Sequence, residues 1–318
     1  MSWRALGQAR QVKVYRIGFL AHGSATIARR RLAAELGERG WREGKEIRFE
    51  FAVAGNDAAR WSTVARALVE KQSDLIVVLG SHMALAAKSA TRTIPLVMLT
   101  SGFPVEAGIV PNLAHPGGNI TGMRSFTDEL PGKWIELAHE LVPSLRVLGI
   151  LDDYVPPFSN AEENEAAFRV TMRTARSLGI EVRRWPISDE GALSRALAEV
   201  QAAKLDSLWV TNGAILGRSP SAVRVRELVL RLRLPMWCDW PGTMFREGGA
   251  VMSYAVDMDE VFERTASFVD RILKGARPGD LPVEQPTRFR LVLNLKNARA
   301  IGLTIPEQLL LRADRVIQ

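Results

Sequence analysis

DLIVVLGSHMA at residues 74–84 and DSLWVTNGAI at residues 206–215 decide how this chain is built. Each opens on an aspartate, runs through a short apolar stretch, and stops at a turn of small residues. Such a run, bounded by turn residues, reads as a strand buried on both sides that feeds a helix. A second pair follows in the same order. IPLVMLTSGFPVEAG (residues 94–108) comes after the first unit and LPMWCDWPGTMFREGG (residues 234–249) after the second, ending in Glu-x-Gly and Glu-Gly-Gly. One such parallel could be chance. Two in matching order predict two lobes of one design.

Outward from these units, strands are expected at residues 15–21, 47–53, 75–79 and 94–99, and again at 146–151, 181–185, 207–211 and 236–238. Helical periodicity fills the gaps at 27–39, 61–71, 161–178, 190–203 and 220–231, with Gly40 and Gly179 as helix stops. A long helix at 258–274 and a late strand at 289–294 complete the pattern. Strands alternating with helices predict an α/β fold of two doubly wound parallel-sheet lobes. The chain is expected to cross between them at 123–126, 254–257 and 281–286, the last marked by Pro282 and Pro286. This three-stranded hinge divides the chain into a first lobe, 14–123 plus 257–283, and a second, 124–256 plus 284–318. Hinge closure around a ligand is the motion expected of such a body.

Composition narrows the function. With 47% hydrophobic and 24% charged residues the chain is of ordinary globular make-up. No apolar run approaches the roughly 20 residues a spanning helix needs. The net charge is +7, but the arginines are spread and lie near acids, as in Glu181, Arg183 and Arg184. The cluster Arg29–Arg31 opens a predicted helix and reads as a solvated face. No nucleic-acid partner is expected, since the first strand near Tyr15 leaves no room for a DNA-binding headpiece. Cys238 is the single cysteine, so neither a disulfide framework nor a cysteine metal site is expected. Residues 1–13 carry Arg4 and Arg10 without an apolar core, so an intact signal peptide is not expected within them.

No enzymatic motif is evident. His22, His82, His115 and His139 lack metal-ligand spacing, and there is no nucleophile elbow, Walker loop or dinucleotide fingerprint. Asp152 and Asp153 are adjacent on a strand and so point to opposite sides, which disfavours a catalytic dyad. No cofactor and no metal are expected. A binding cleft is better supported, because ligands of open α/β sheets sit beyond the carboxyl ends of the strands. In the first lobe those ends carry Ser24, Ser81 with His82, and Ser101 with Phe103. Ser24, Thr26 and Ser81 are N-cap types, suited to presenting helix N–H groups to a carboxylate. In the second lobe the ends carry Asp153 with Tyr154, Asn212, Asp239 with Trp240, then Tyr254 and Asp257. Carboxylates beside aromatics can hold an ammonium group and stack a ring. Trp237, inside its strand, reads as core. An amino-acid-like ligand would bridge the two linings.

The chain also resembles a known family, the ABC-transporter substrate-binding proteins related to tryptophan-binding lipoproteins, which have the type I periplasmic binding protein fold. The resemblance rests on IGFLAHGS (17–24), TIPLVML (93–99), LAHPGGNITGM (113–123), FTDELPGKWIELAHELVP (126–143), GGAVMSYAVD (248–257) and the tail at 271–317. It implies a cleft receptor that binds an aromatic or other amino acid, or a small carboxylate. It further implies delivery to an ABC permease with its ATPase, a periplasmic location, a monomer, and only peripheral contact with the membrane complex. The cleft positions it carries over are Ser24, Ser81, His82, Ser101 to Phe103, Asp153, Asn212, Asp239 and Tyr254. Three turns depart from the family pattern. Ser81-His82-Met83 replaces a Thr-Pro pair, Phe103 replaces an acid before Pro104, and the turn after Asp152 reads DDYVPP. The added Phe and lost carboxylate shift that edge towards apolar recognition. A cytoplasmic ligand sensor signalling to a protein partner through the same clamp is the alternative, and an enzyme on this fold is disfavoured.

Overall fold

The apolar runs pair into two sheets wound in the same order. A computed structural model describes residues 13–21, 26–53, 58–125, 127, 129–153, 161–211, 213 and 215–318. The first part comprises β1 (Tyr15–Ala21), α1 (Thr26–Glu38), β2 (Ile47–Val53), α2 (Ala58–Glu70), β3 (Leu75–Leu79), α3 (Ser81–Ala90), β4 (Leu96–Thr100) and β5 (Ile120–Gly122). Its sheet has the order β2-β1-β3-β4-β5 and is parallel throughout.

The second part comprises α4 (Leu130–Leu141), β6 (Val147–Asp153), α5 (Ala161–Ser177), β7 (Glu181–Ile187), α6 (Glu190–Ala202), β8 (Ser207–Val210), α7 (Ser219–Leu232), β9 (Met236–Cys238), α8 (Thr243–Arg246) and β10 (Met252–Val256). After α9 (Met258–Leu273) come β11 (Phe289–Asn294), α10 (Leu295–Ile301), α11 (Glu307–Arg312) and β12 (Arg315–Ile317). The second sheet runs β12-β11-β10-β9-β8-β6-β7. Its strands β7-β6-β8-β9-β10 repeat the winding of the first, and β11 adds on antiparallel to β10. The quoted units therefore occupy equivalent places, β3 with β8 and β4 with β9.

The opening aspartates of the two units also have the same job. Asp74 accepts a hydrogen bond from the Arg16 N–H at 2.8 Å. Asp206 accepts from the N–H groups of Arg146 and Val147 at 2.9 and 2.8 Å. Each carboxylate ties the entry of the third strand to the start of the first, satisfying N–H groups at the sheet margin.

Helix α9 follows the second sheet in sequence yet packs on the first. Val261, Phe262, Thr265, Ala266, Phe268, Val269 and Ile272 are buried at three- and four-residue spacing. The apolar ones among them join Ile17, Phe19, Leu32, Leu36, Val97 and Leu99 in one cluster. Asp257 caps α9 by accepting from the Asp259 N–H at 2.9 Å.

The three crossings lie side by side. Arg124 N–H donates to the Glu284 carbonyl at 3.0 Å, and Glu284 N–H donates to the Gly122 carbonyl at 2.9 Å. Asp257 N–H donates to the Arg288 carbonyl at 2.9 Å. The middle crossing begins later than the sequence suggested. Residues 252–256 pair with both β9 and β11, so Tyr254 belongs to a strand and the crossing is confined to Asp257. Cross-strand pairing overrides local signals that read as a connection.

Glu260 sits beneath these crossings, 3% exposed. Burial alone would raise its carboxyl pKa. The Thr287 hydroxyl at 2.6 Å, the N–H groups of Thr287 and Arg288, and the Arg264 guanidinium at 2.9 Å outweigh this and hold it below its usual value. A carboxyl lowered on folding stabilises the protein at pH above its unfolded value, and that contribution is lost as pH falls through the folded value. Denaturant unfolding at a series of pH values should therefore show stability declining below about pH 4.5. Glu260→Gln should flatten that decline, and an unchanged pH profile would refute the assignment.

Candidate ligand-binding site

Between the two sheets, at the carboxyl ends of β3, β4, β9 and β10, lies a cleft of about 640 Å³. The first lobe contributes Ile27 and Arg31 of α1, Leu79 and Thr100 at strand ends, and Phe262 of α9. Opposite them stand Leu130 and Trp134 of α4, with Asp239 and Trp240 directly after β9. Ser125 and the pair Ala255–Val256 close the side of the crossings. The walls are mostly apolar with few polar groups, the usual make-up of a small-molecule site.

A smaller cavity of about 130 Å³ adjoins this cleft and shares Trp134 and Asp239 with it. It lies within the second lobe, against Ile150, Phe168, Trp209 and Thr211, with Asp152, Asp153 and Arg184 as further charged groups. The Arg184 Nε donates to Asp152 at 2.7 Å, and its guanidinium lies 4.3 Å from the Phe168 ring centre. Trp134, Trp209 and Trp237 form a ladder. Trp209 stacks on Trp237 at 4.8 Å, and its ring centre is 5.1 Å from that of Trp134. The Trp134 indole N–H donates to the Tyr254 carbonyl at 2.8 Å, which fixes the ring at the boundary of both spaces.

Among the described residues, one charge of each sign lines the main cleft. Asp239 follows Cys238, whose buried thiol donates to the Trp240 carbonyl at 3.0 Å and shapes the turn that presents the carboxylate. Burial first, and the Asp239 charge second, raise the Cys238 pKa far above its ordinary value, so the thiol stays protonated. Arg31 lies 4.8 Å from the Phe262 ring centre and forms an ion pair with Asp259. Asp259 in turn accepts from Arg290 of β11 at 2.8 Å. The arginine cluster is thus not uniformly solvated: Arg29 pairs with Glu43 on the surface, whereas Arg31 reaches the cleft.

Among the residues singled out from sequence, Asp239 and Trp240 line the main cleft, and Asp239 and Asp153 line the side cavity. The remainder are placed otherwise. Ser81 and Ser101 are buried and hydrogen-bonded to each other at 2.9 Å, and the Gly102 N–H donates to Ser81 at 3.2 Å. Gly80, not Ser81, holds the N-cap position of α3, with no side-chain cap. The His82 ring packs on Trp61 at 5.4 Å. Phe103 is 3% exposed beneath the Arg124 guanidinium and lines neither space. Asp153 accepts from the N–H groups of Ile215 and Leu216 at 2.8 and 2.6 Å, pinning the loop after β8. Tyr254 stacks on Phe289. Burial first, with Asp314 nearby, raises its phenol pKa, and alternation along β10 gives the cleft Ala255 instead. Asp257 caps α9 and accepts from Arg290 at 3.1 Å. Ser24, Tyr154 and Asn212 lie outside the described residues.

Arg31, Trp134, Trp209 and Phe262 were not anticipated. Trp134 alone had a usable signal, a large aromatic in the first helix after the first crossing.

These features can be set beside known proteins. The family model described as ABC transporter substrate binding protein matches residues 12–317. A tyrosine-binding protein of Clostridioides difficile (strain R20291) is 25% identical over 284 residues, covering 89% of this chain and 78% of its own. The crystal structure of an ABC domain in complex with L-Trp from Streptococcus pneumonia superposes with a TM-score of 0.84 at 25% identity, covering 96% of this chain and all of that one. A conserved domain protein from Vibrio cholerae superposes with a TM-score of 0.82, also at 25% identity and with the same coverage. No helix among the described residues is long and apolar enough to cross a membrane. A match over nearly the whole length, on two lobes that enclose a cleft, places this chain in the family of ABC transporter substrate-binding proteins.

Proposed function

We propose that this protein captures an amino-acid-like ligand with an aromatic side chain between its lobes and presents it to an ABC permease and its ATPase. The observation that carries this reading is the cleft itself. A carboxylate from one lobe, Asp239, and a guanidinium from the other, Arg31, line one apolar space walled by Trp134, Trp240 and Phe262. A zwitterion is complementary in sign to the two charges, and a ring finds stacking surface. The tyrosine and L-Trp bound by the two relatives are of this class. Capture for a transporter implies work outside the cytoplasmic membrane, in the periplasm.

Both walls come from a single chain, which supports action as a monomer. The packing of α9 on the first sheet and of β11 on the second supports lobes of 14–123 plus 257–283 and of 124–256 plus 284–318. Closure would turn on the three adjacent crossings.

Isothermal titration with tyrosine, tryptophan, phenylalanine, leucine and small aryl carboxylates tests the reading. At least one aromatic amino acid should bind with a Kd of about 1 μM or below, equivalent to about −8 kcal/mol. Small-angle scattering should show compaction on binding. Failure of every aromatic amino acid to bind would overturn the proposal.

A further inference from the structure

We infer that Arg290 is a positioning residue for ligand capture: it offsets the charge of Asp259 and so leaves the Arg31 guanidinium positive towards the cleft. The inference rests on the proposed capture of an amino acid, whose carboxylate Arg31 would receive.

Arg31 reaches the cleft from α1, and its guanidinium lies 4.8 Å from the Phe262 ring centre. That stacking holds the side chain in place and brings no counter-charge. Arg31 also forms an ion pair with Asp259, in the first turn of α9. A guanidinium has more N–H donors than one carboxylate can take up, so a second anion finds donors there. Charge is the obstacle. A carboxylate in contact cancels most of the attraction a guanidinium exerts on a further anion, and repels that anion itself. An Arg31–Asp259 pair left alone is close to neutral towards a ligand carboxylate.

The compensation comes from the other lobe. Arg290 stands on β11 of the second sheet, whereas α9 packs on the first. Its guanidinium donates to Asp259 at 2.8 Å and to Asp257 at 3.1 Å. Asp257 has other partners, accepting from the Asp259 N–H at 2.9 Å and facing Arg288 at 3.9 Å. Arg31, Asp259 and Arg290 therefore stand in a row with the negative charge between two positive ones. Arg290 does not line the cleft, so it acts on a ligand through Arg31. The side chains of Asp259 and Arg290 are each 51% exposed, and solvent screening holds the effect to a few-fold.

Isothermal titration of the full chain tests the assignment in the wild type, Arg290→Gln, Arg290→Lys and the double variant Asp259→Asn/Arg290→Gln. The probes are L-tyrosine and L-tryptophan, with L-tyrosinamide and L-tryptophanamide, which keep ring and ammonium but lose the carboxylate charge. Arg290→Gln should weaken the amino acids by about threefold to fivefold, as for one half-exposed charge contact, and leave the amides nearly unchanged. Arg290→Lys keeps the charge and should keep the affinity. The double variant removes the acid together with the base that offsets it, and should restore amino-acid affinity although the Arg290 contact to Asp257 is still missing. A merely structural Arg290 would weaken acids and amides alike, with no rescue in the double variant. Unchanged amino-acid affinity in Arg290→Gln, equal losses for acids and amides, or a double variant as weak as the single would each overturn the inference and leave the capture reading standing. Where the amides bind too weakly to titrate, the rescue alone decides. If neither amino acid binds the wild type, the capture reading fails and the inference with it.

Discussion

Asp239→Asn should weaken binding of the captured amino acid by about a hundredfold, with the thermal midpoint nearly unchanged. The carboxylate stands at the carboxyl end of β9 and lines both the main cleft and its side cavity. Among the described residues it is the second lobe's charge on the cleft, positioned by the Cys238 turn, and it is half-buried, so asparagine fits without a cavity. Removing one partner of a desolvated charge pair costs about 2–5 kcal/mol, and a hundredfold corresponds to about 2.8 kcal/mol. Titration calorimetry checks the size, and thermal denaturation checks that the fold is retained. Unchanged affinity in a folded variant would remove Asp239 from the site and leave the ammonium without its proposed partner.

Gly122→Ala should destabilise the protein by about 3 kcal/mol or more, the combined cost of backbone strain and overpacking. Gly122 ends β5 with φ +130, and an added Cβ would lie 2.2 Å from the Met98 carbonyl oxygen and 2.5 Å from its nitrogen. Both are backbone atoms of the neighbouring strand and cannot rotate away. The Gly122 carbonyl also accepts from Glu284 across the first and third crossings, so any shift reaches both. Gly37→Ala is the matched control. Its Cβ would meet nothing within 4 Å inside α1, so the substitution should be neutral or mildly stabilising, by up to about 1 kcal/mol. Urea unfolding of both variants decides the matter. A Gly122→Ala midpoint equal to that of the wild type would refute the argument.

The lobes were legible because buried parallel strands write themselves as apolar runs. β1, β2, β3, β9 and β11 lie where the runs place them, since each is framed by polar or turn residues. The equivalence of β3 with β8 and β4 with β9 was likewise readable, because repeated units carry repeated spacing. β10 was not. Its Met252–Val256 segment is a strand through pairing with β9 and β11, which lie elsewhere in sequence. β12, at Arg315–Ile317, is similarly a strand by virtue of its pairing with β11.

The site divides along the same line. Asp239 and Trp240 could be picked out, because a residue just past the carboxyl end of a sheet strand faces the ligand crevice by topology alone. Ser81 and Ser101 share that position, yet their hydroxyls are spent on each other in the core. Arg31, Trp134 and Phe262 come from helices, and which helical face meets the other lobe depends on how the lobes are set together. Sequence by itself determined two α/β lobes of one winding and the strand ends that border a cleft, because these follow from period and spacing. The tertiary structure alone decided which side chains line that cleft and that a second cavity opens beside it. Those depend on packing between segments far apart in the chain, which no local pattern records.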